Sequence, residues 1–355
     1  MASMKIPNDY QAIEQAIGRL ENILDQSSRH VDYGISSIGT FLPDAIVSVG
    51  HHTFVIEWNR SGTLGQVGLA ANQLIRAVQE SDSPLIPLLV VPFMGVKGKS
   101  YCEQVGVSWL DLSGNSSITA EGLYVRERGH RNRYRRRGPL ESPFGPKGSR
   151  IARWMLAHPS AIFRQRELAS AVGLNEGYTS RVIRKLLDSQ LITREGKGIR
   201  VLDHDLLLNS WEEAYRFNRH ARIPGHIPAQ SGAELARSVA HTLNTSGTEY
   251  ALTGLAAAWF QTRYAAFRLL TVYLREAPSP EFMSRLAFRP EPRGANTWFV
   301  VPNDEGVLQA NETLEEVRCV HPVQAYLDLQ EHPERAKEAA EELHSRLLTW
   351  ERHDG

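Results

Sequence analysis

Apolar residues recur along this chain with two periods, and the changes between them predict its elements. In residues 9–25, Ile13, Ile17, Leu20 and Ile23 fall at helical spacing, which predicts an amphipathic helix. Two β-rich runs, DAIVSV (44–49) and TFVIEWN (53–59), are joined by Gly50, His51 and His52 and predict a hairpin. Adjacent residues on a strand point opposite ways, so His51 and His52 are expected in a turn and not as a pair of metal ligands. Residues 64–78 place Val67, Ala71, Leu74 and Val78 on one helical face. The continuous apolar run PLIPLLVVPF (84–93) predicts a strand buried on both faces. A short helix near 99–104 precedes VSWLDL (107–112), another strand. The order α-β-β-α-β-α-β predicts a mixed sheet covered by helices.

The pattern is sharper from residue 149. SRIARWMLAHP (149–159) is an amphipathic helix closed by Pro159, and FRQRELASAVG (163–173) is a second with Leu168, Ala169 and Val172 inward. Gly173, Leu174 and Asn175 make a tight turn into EGYTSRVIRKLLDSQ (176–190), a third helix that buries Val182, Leu186 and Leu187. LITREGKGIRVLD (191–203) then reads as a hairpin that turns at 195–198. Three helices, a turn glycine and a terminal hairpin agree on a winged helix-turn-helix.

Beyond it, a helix is expected over 206–222 and, after the break IPGHIPAQSG, another over 232–244. Residues 248–260 run from a strand through Thr253-Gly254 into a helix, 267–274 is a strand, and 296–308 another. Residues 318–329 pass from strand to helix through Pro322, and an alanine-rich helix (334–350) carries Ala336, Ala339, Ala340, Leu343 and Leu347 in one stripe.

Composition adds two constraints. A chain of 355 residues is too long for one ordinary core, so two or three domains are expected. Forty basic residues cancel forty acidic ones, which hides an uneven distribution. Residues 1–120 hold seven basic against eleven acidic residues, 121–200 eighteen against seven, and 201–355 fifteen against twenty-two. The cations thus gather on the winged-helix segment, where each one set against a phosphate releases condensed counterions; the expected partner is double-stranded DNA. No apolar run is long enough for a bilayer span, and the start, MASMKIPNDY, lacks the layout of a secretory signal. Cys102 and Cys319 form neither a disulfide framework nor a metal spacing, which fits a reducing cytoplasm.

If the helix 176–190 enters a major groove, its early residues face the bases. Tyr178, Thr179, Ser180, Arg181 and Arg184 are then the candidate readers, Arg181 by a bidentate pair with guanine, while Lys185, Arg194, Lys197 and Arg200 suit phosphates. The Arg-Gly-Pro stretch 126–148 reads as a linker or an extended arm. Arg131, Arg133, Arg135, Arg136 and Arg137, with Arg126 and Arg128 before them, are either phosphate or minor-groove contacts or a solvated charged linker.

The N-terminal third resembles the core of the PD-(D/E)xK nuclease superfamily through Pro43-Asp44 on the first strand of the hairpin and Glu57-Trp58-Asn59 on the second. The resemblance implies that Asp44 and Glu57 would hold Mg²⁺. Asn59 stands where the superfamily carries a lysine, and a neutral amide does not replace an ammonium against developing negative charge. A nuclease-shaped domain that no longer cuts is therefore expected, with no cofactor; Mg²⁺-dependent cleavage through Asp44, Glu57 and Asn59 is the alternative.

YALTGLAAA, FRLLTVYL and VHPVQAYLDL, together with the winged helix before them, look like the AbiEi-type antitoxins of type IV toxin–antitoxin systems. That resemblance implies a winged helix that represses its own promoter and a C-terminal nucleotidyltransferase-like domain that counteracts a toxin encoded by an adjacent gene. In that fold a later strand carries paired aspartates for metal; here it reads Leu270, Thr271, Val272, Tyr273, so no transfer activity is expected. The fold class expected is α/β multidomain: a restriction-endonuclease-like α/β domain (1–125), an Arg-rich linker or arm (126–148), a central winged helix-turn-helix (149–205) and a nucleotidyltransferase-like α/β domain (206–355). A cytoplasmic, sequence-specific DNA-binding regulator that acts as a homodimer, without enzymatic activity, is the function expected.

Overall fold

The computed structural model describes residues 4–81, 83–134, 142–264 and 266–350. The chain is mixed α/β and divides into two compact units, residues 1–141 with 188–191, and 142–187 with 192–355.

The first unit opens with α1 (Asp9–Leu24), started by a reciprocal cap. The Asn8 side chain accepts from Gln11 N at 2.8 Å, and Gln11 Oε1 accepts from Asn8 N at 3.3 Å. Then follow β1 (Ser28–Asp32), β2 (Ala45–Val49), β3 (His52–Trp58), α2 (Leu64–Gln79), β4 (Leu85–Val91), α3 (Val96–Val105), β5 (Ser108–Asp111), β6 (Ser116–Ala120) and β7 (Leu123–Glu127). The strands lie side by side in chain order. β3–β4 and β4–β5 are parallel and the other pairs antiparallel, because only those two connections carry a helix.

Strand periodicity divides this unit's core in two. Phe54, Ile56 and Trp58 of β3 join Ala12, Ile13, Ala16, Ile17 and Leu20 of α1 on one face. Val55 joins Val67, Ala71 and Leu74 of α2 and Cys102 of α3 on the other. The hairpin, α1, α2, α3 and the apolar strand β4 stand where the apolar pattern predicts them. β1, β6 and β7 were not anticipated, since SRHVD is largely polar and SSITA and LYVRE are short. β7 runs through Glu127, so the expected linker boundary at 126 falls inside a strand.

The second unit begins with α4 (Ser149–Ala157), α5 (Gln165–Ala171), α6 (Glu176–Asp188), the antiparallel hairpin β8 (Ile192–Glu195) and β9 (Gly198–Val201), and α7 (His204–Ala214). It continues with β10 (Ala221–His226), α8 (Gly232–Thr245), β11 (Tyr250–Thr253), α9 (Gly254–Thr262), β12 (Leu270–Leu274), α10 (Pro280–Arg285), β13 (Arg289–Pro290), β14 (Thr297–Val301), β15 (Glu312–Leu314), β16 (Val317–Cys319), α11 (Pro322–Leu329) and α12 (Ala336–Leu347). Its sheet has the order β13-β10-β14-β12-β11-β16-β15.

The helix expected over 206–222 ends at Ala214. Tyr215 takes extended backbone, a 3₁₀ turn spans Phe217–Arg219, and β10 starts at Ala221 within the expected helix and runs through His226 into the expected break. Pro224 inside a strand masked that element. It is tolerated because β13 pairs only with Gly225 and His226, so the N–H that Pro224 lacks costs no bond of that ladder, while its carbonyl still accepts from Glu291 N at 3.1 Å. The run 296–308 gives β14 and then a 3₁₀ turn at Glu305–Leu308. Among the described residues no helix is long and apolar enough to cross a membrane.

Candidate nucleic-acid interface

Entry into α6 is fixed locally. Val172 ends α5, Gly173 takes φ +64°, and Asn175 caps the new helix by accepting Tyr178 N on Oδ1 at 2.9 Å. Thr179, Val182, Ile183 and Leu186 form the buried stripe, at spacings of three, four and seven residues. That stripe decides which candidates face outward. Arg181 and Arg184 are exposed, and Tyr178, Ser180 and Lys185 are half-buried. The Arg181 guanidinium lies 5.6 Å from the centre of the Tyr178 ring, which holds it along the outer face.

Thr179 is a correction. Expected among the base readers, it is fully buried, and its Oγ1 has no hydrogen-bond partner among the described residues. It sits three residues before Val182 and one turn below Ile183, so helical period carries it inward despite its hydroxyl.

In the hairpin, Glu195 pairs with Gly198 across a turn in which Gly196 takes φ +56°. Arg194 and Lys197 are exposed at the tip. Arg200 is half-buried and forms an ion pair with Glu195, so part of its charge is neutralised within the hairpin. The hairpin is tied to the helices by Phe163 and Ile199, which exchange two backbone hydrogen bonds of 2.9 Å.

The arginine stretch divides differently from the expected arm. Arg126 on β7 and Arg128 both reach Glu103, at 2.8 and 2.7 Å. His130 N donates to Asn115 Oδ1 at 2.9 Å, and Arg133 O accepts from Met4 N at 2.8 Å. Tyr134 is buried in the α1-side core. Residues 126–134 are therefore part of the first unit and not a linker, with the Arg131 and Arg133 side chains exposed. One aromatic anchor and a few backbone bonds hold a stretch that looks solvated by composition. Arg135, Arg136 and Arg137 lie outside the described residues.

Asp44 and Glu57 do come together at the end of the β2–β3 hairpin. Asp44 Oδ2 accepts from Trp58 N at 2.7 Å. Burial pushes the Glu57 carboxyl up to about 8, the charge of Asp44 adding to it, and burial also raises Asp44. Asn59 is occupied differently: its Oδ1 accepts from Ser61 N at 3.0 Å, closing the turn before α2. Among the described residues no group of three or more His, Cys, Asp or Glu side chains could hold a metal ion.

The raised carboxyl has a measurable consequence. The folded state keeps the Glu57 proton that the unfolded chain, titrating near 4.5, has already released. Its cost to stability grows as pH rises from about 4.5 to about 8 and is complete above that. Glu57→Gln is expected to stabilise the protein by about 2–4 kcal/mol at pH 8.5, with the gain vanishing by pH 5. Thermal melts of both proteins across that range check it; a gain that grows toward acid would refute the assignment.

The second unit holds a buried polar system that sequence reasoning missed. Arg150 and Arg153 lie on the inner side of α4, 7% and 2% exposed. Arg150 grips Asp304 with a bidentate fork, Nε to Oδ1 at 2.7 Å and Nη2 to Oδ2 at 2.8 Å. Arg153 donates to Gln324 Oε1 at 2.7 Å and lies 5.1 Å from the Trp211 ring centre. Gln324 in turn donates to Asp328 Oδ1 at 2.8 Å.

Asp328 also accepts from the hydroxyls of Tyr215, Thr253 and Tyr273. Full burial raises its carboxyl to about 6, while these four donors favour the ionised form. Thr271, one of the strand positions lacking an aspartate, bonds His332 Nε2 at 3.1 Å. A Cβ at Gly254 would lie 2.7 Å from that nitrogen, so the imidazole closes over the start of α9. Burial holds His332 neutral, lowering it to about 4. Two arginines three apart in a helix that is otherwise apolar after its first residue, Ser149, are the sign of this system that the sequence carries.

Against this geometry, one comparison is informative. Residues 200–349 match a family of transcriptional regulators. In particular, the family is described as "Transcriptional regulator, AbiEi antitoxin, Type IV TA system", and the resemblance read from the C-terminal third is thereby borne out over those residues. The match runs from β9 to just beyond α12 and leaves α4, α5 and α6 outside it. No curated protein and no solved structure matches the chain.

Proposed function

We propose that this protein is a sequence-specific, double-stranded-DNA-binding transcriptional regulator of the AbiEi antitoxin kind. α4, α5, α6 and the β8–β9 hairpin act as its winged helix. The observation that carries the reading is the outer face of α6, where Tyr178, Arg181 and Arg184 stand over a fully packed underside on the most basic segment of the chain. A rigid helix that presents arginines can read guanine edges, and Arg194 and Lys197 at the hairpin tip suit flanking phosphates. The family match to residues 200–349 supports the regulatory role independently of that helix.

In this reading the protein occupies its operator in the cytoplasm as a homodimer on a repeated half-site, and the C-terminal domain meets a toxin from an adjacent gene. That domain is nucleotidyltransferase-like in form and inactive as a transferase. Thr271 and Tyr273 supply no metal-binding carboxylates, and His332 fills the space above Gly254. Selection of bound duplexes from a random double-stranded library, followed by a gel-shift titration, tests the reading; failure to enrich any sequence contradicts it. Replacing exposed Arg131 and Arg133 by alanine is expected to weaken binding to all duplexes alike. The salt slope should fall by about 0.9 for each phosphate that is no longer neutralised.

A second reading is a Mg²⁺-dependent endonuclease, favoured by the juxtaposed, desolvated Asp44, just before β2, and Glu57 on β3. The use of Asn59 in a turn, with no cation in the position of the superfamily lysine, weighs against it. Supercoiled plasmid with Mg²⁺ or Mn²⁺ is expected to remain intact. Nicking by the wild type that Asp44→Ala abolishes would reverse the order of the two readings.

A further inference from the structure

Two side chains hold the carbonyl of Val172, the residue that ends α5 immediately before the turn into α6. Arg150 Nη1 reaches it at 3.4 Å and Gln309 Nε2 at 3.3 Å. Both depend on one short segment of the C-terminal part of the chain. Arg150 is clamped by Asp304 and also contacts Glu305 at 3.4 Å, while Gln309 follows the 3₁₀ turn Glu305–Leu308. The fit against α4 is close, because a Cβ at Gly306 would come within 2.5 Å of Arg150 Cγ.

Val172 is followed by Gly173 at φ +64°, and α6 starts at Glu176, so little chain separates the held carbonyl from the helix. We infer that segment 304–309 is a positioning element for DNA reading: through Gln309 and the Asp304–Arg150 clamp it fixes the α5–α6 turn and with it the orientation of α6. This rests on the proposed DNA-reading role of α6 and adds a dependence on the region similar to AbiEi antitoxins. Helix orientation matters for base contacts, which need bidentate geometry, and much less for phosphate contacts, which tolerate displacement.

Gln309 is the position to test. Its Oε1 is buried without a partner among the described residues, so replacing the carboxamide removes the bond to Val172 and little else. Gln309→Leu and the similarly long, uncharged non-donor Gln309→Met would be titrated in the full chain against two probes at fixed salt: the duplex enriched by selection and a scrambled duplex of equal length. The expected result is an approximately fivefold loss of affinity for the enriched duplex, the scale of one hydrogen bond. Affinity for the scrambled duplex should stay unchanged, and the thermal midpoint should fall by no more than about 4 °C, as the loss of one hydrogen bond allows. An unchanged ratio of the two affinities in both variants, with or without a lower midpoint, overturns the inference and leaves the DNA-reading role standing. A wild-type protein that does not distinguish the two duplexes overturns that role itself.

Discussion

Replacing Arg181 and Arg184 together by alanine is expected to lower affinity for the selected operator on the order of a hundredfold. Affinity for a scrambled duplex should fall much less. Both side chains are exposed on the face of α6 opposite Val182, Ile183 and Leu186, so neither substitution touches the core. A bidentate arginine–guanine pair contributes about 1–3 kcal/mol of discrimination, and two of them reach that range. The thermal midpoint should be unaffected, which separates loss of reading from loss of fold. Thr179→Val gives the contrast: at a fully buried position whose hydroxyl lacks a partner, it is expected to leave operator affinity unchanged and stability equal or higher. A Thr179→Val protein with impaired operator binding and an intact fold would return that residue to the interface.

The largest stability effect is expected at Asp304. Its side chain and that of Arg150 are 7% and 9% exposed, and Asp304→Ala leaves the Arg150 guanidinium buried without its fork. Removing one partner of a buried pair costs about 3–5 kcal/mol, which lowers the midpoint of a domain of this size by roughly 10 °C. The double replacement Arg150→Met with Asp304→Leu should restore most of that loss, because an apolar pair of similar volume carries no desolvation penalty. Calorimetry on the two proteins decides it: equal destabilisation by the single and double variants would show that the ion pair itself, and not the abandoned charge, sets the cost.

Where apolar period and turn chemistry agree, the sequence is easily read. α4, α5, α6 and the β8–β9 hairpin follow from regular spacing, Gly173 and the Glu195–Gly198 turn. α1, α2 and β4 follow equally directly. β1, β6 and β7 were obscured because short, partly polar strands carry little periodic signal, and β10 because it contains Pro224.

The site was legible in part. Arg181 and Arg184 point outward as helical spacing requires, and Asp44 and Glu57 meet as the hairpin register requires. Thr179 has the residue type of a base reader, but helical period places it in the buried stripe. The Arg150–Asp304 clamp was illegible because its partners lie 154 residues apart and meet only through the tertiary fold. Composition likewise hid Tyr134, whose ring packs the end of an arginine stretch into a core.

The central claim is that the chain reads DNA sequence through α6. Its most direct test is competition binding of the wild-type protein at fixed salt between the selection-enriched duplex and a scrambled duplex of the same length and composition. A preference of about a thousandfold or more for the enriched duplex is expected. Equal affinity for the two duplexes would contradict it.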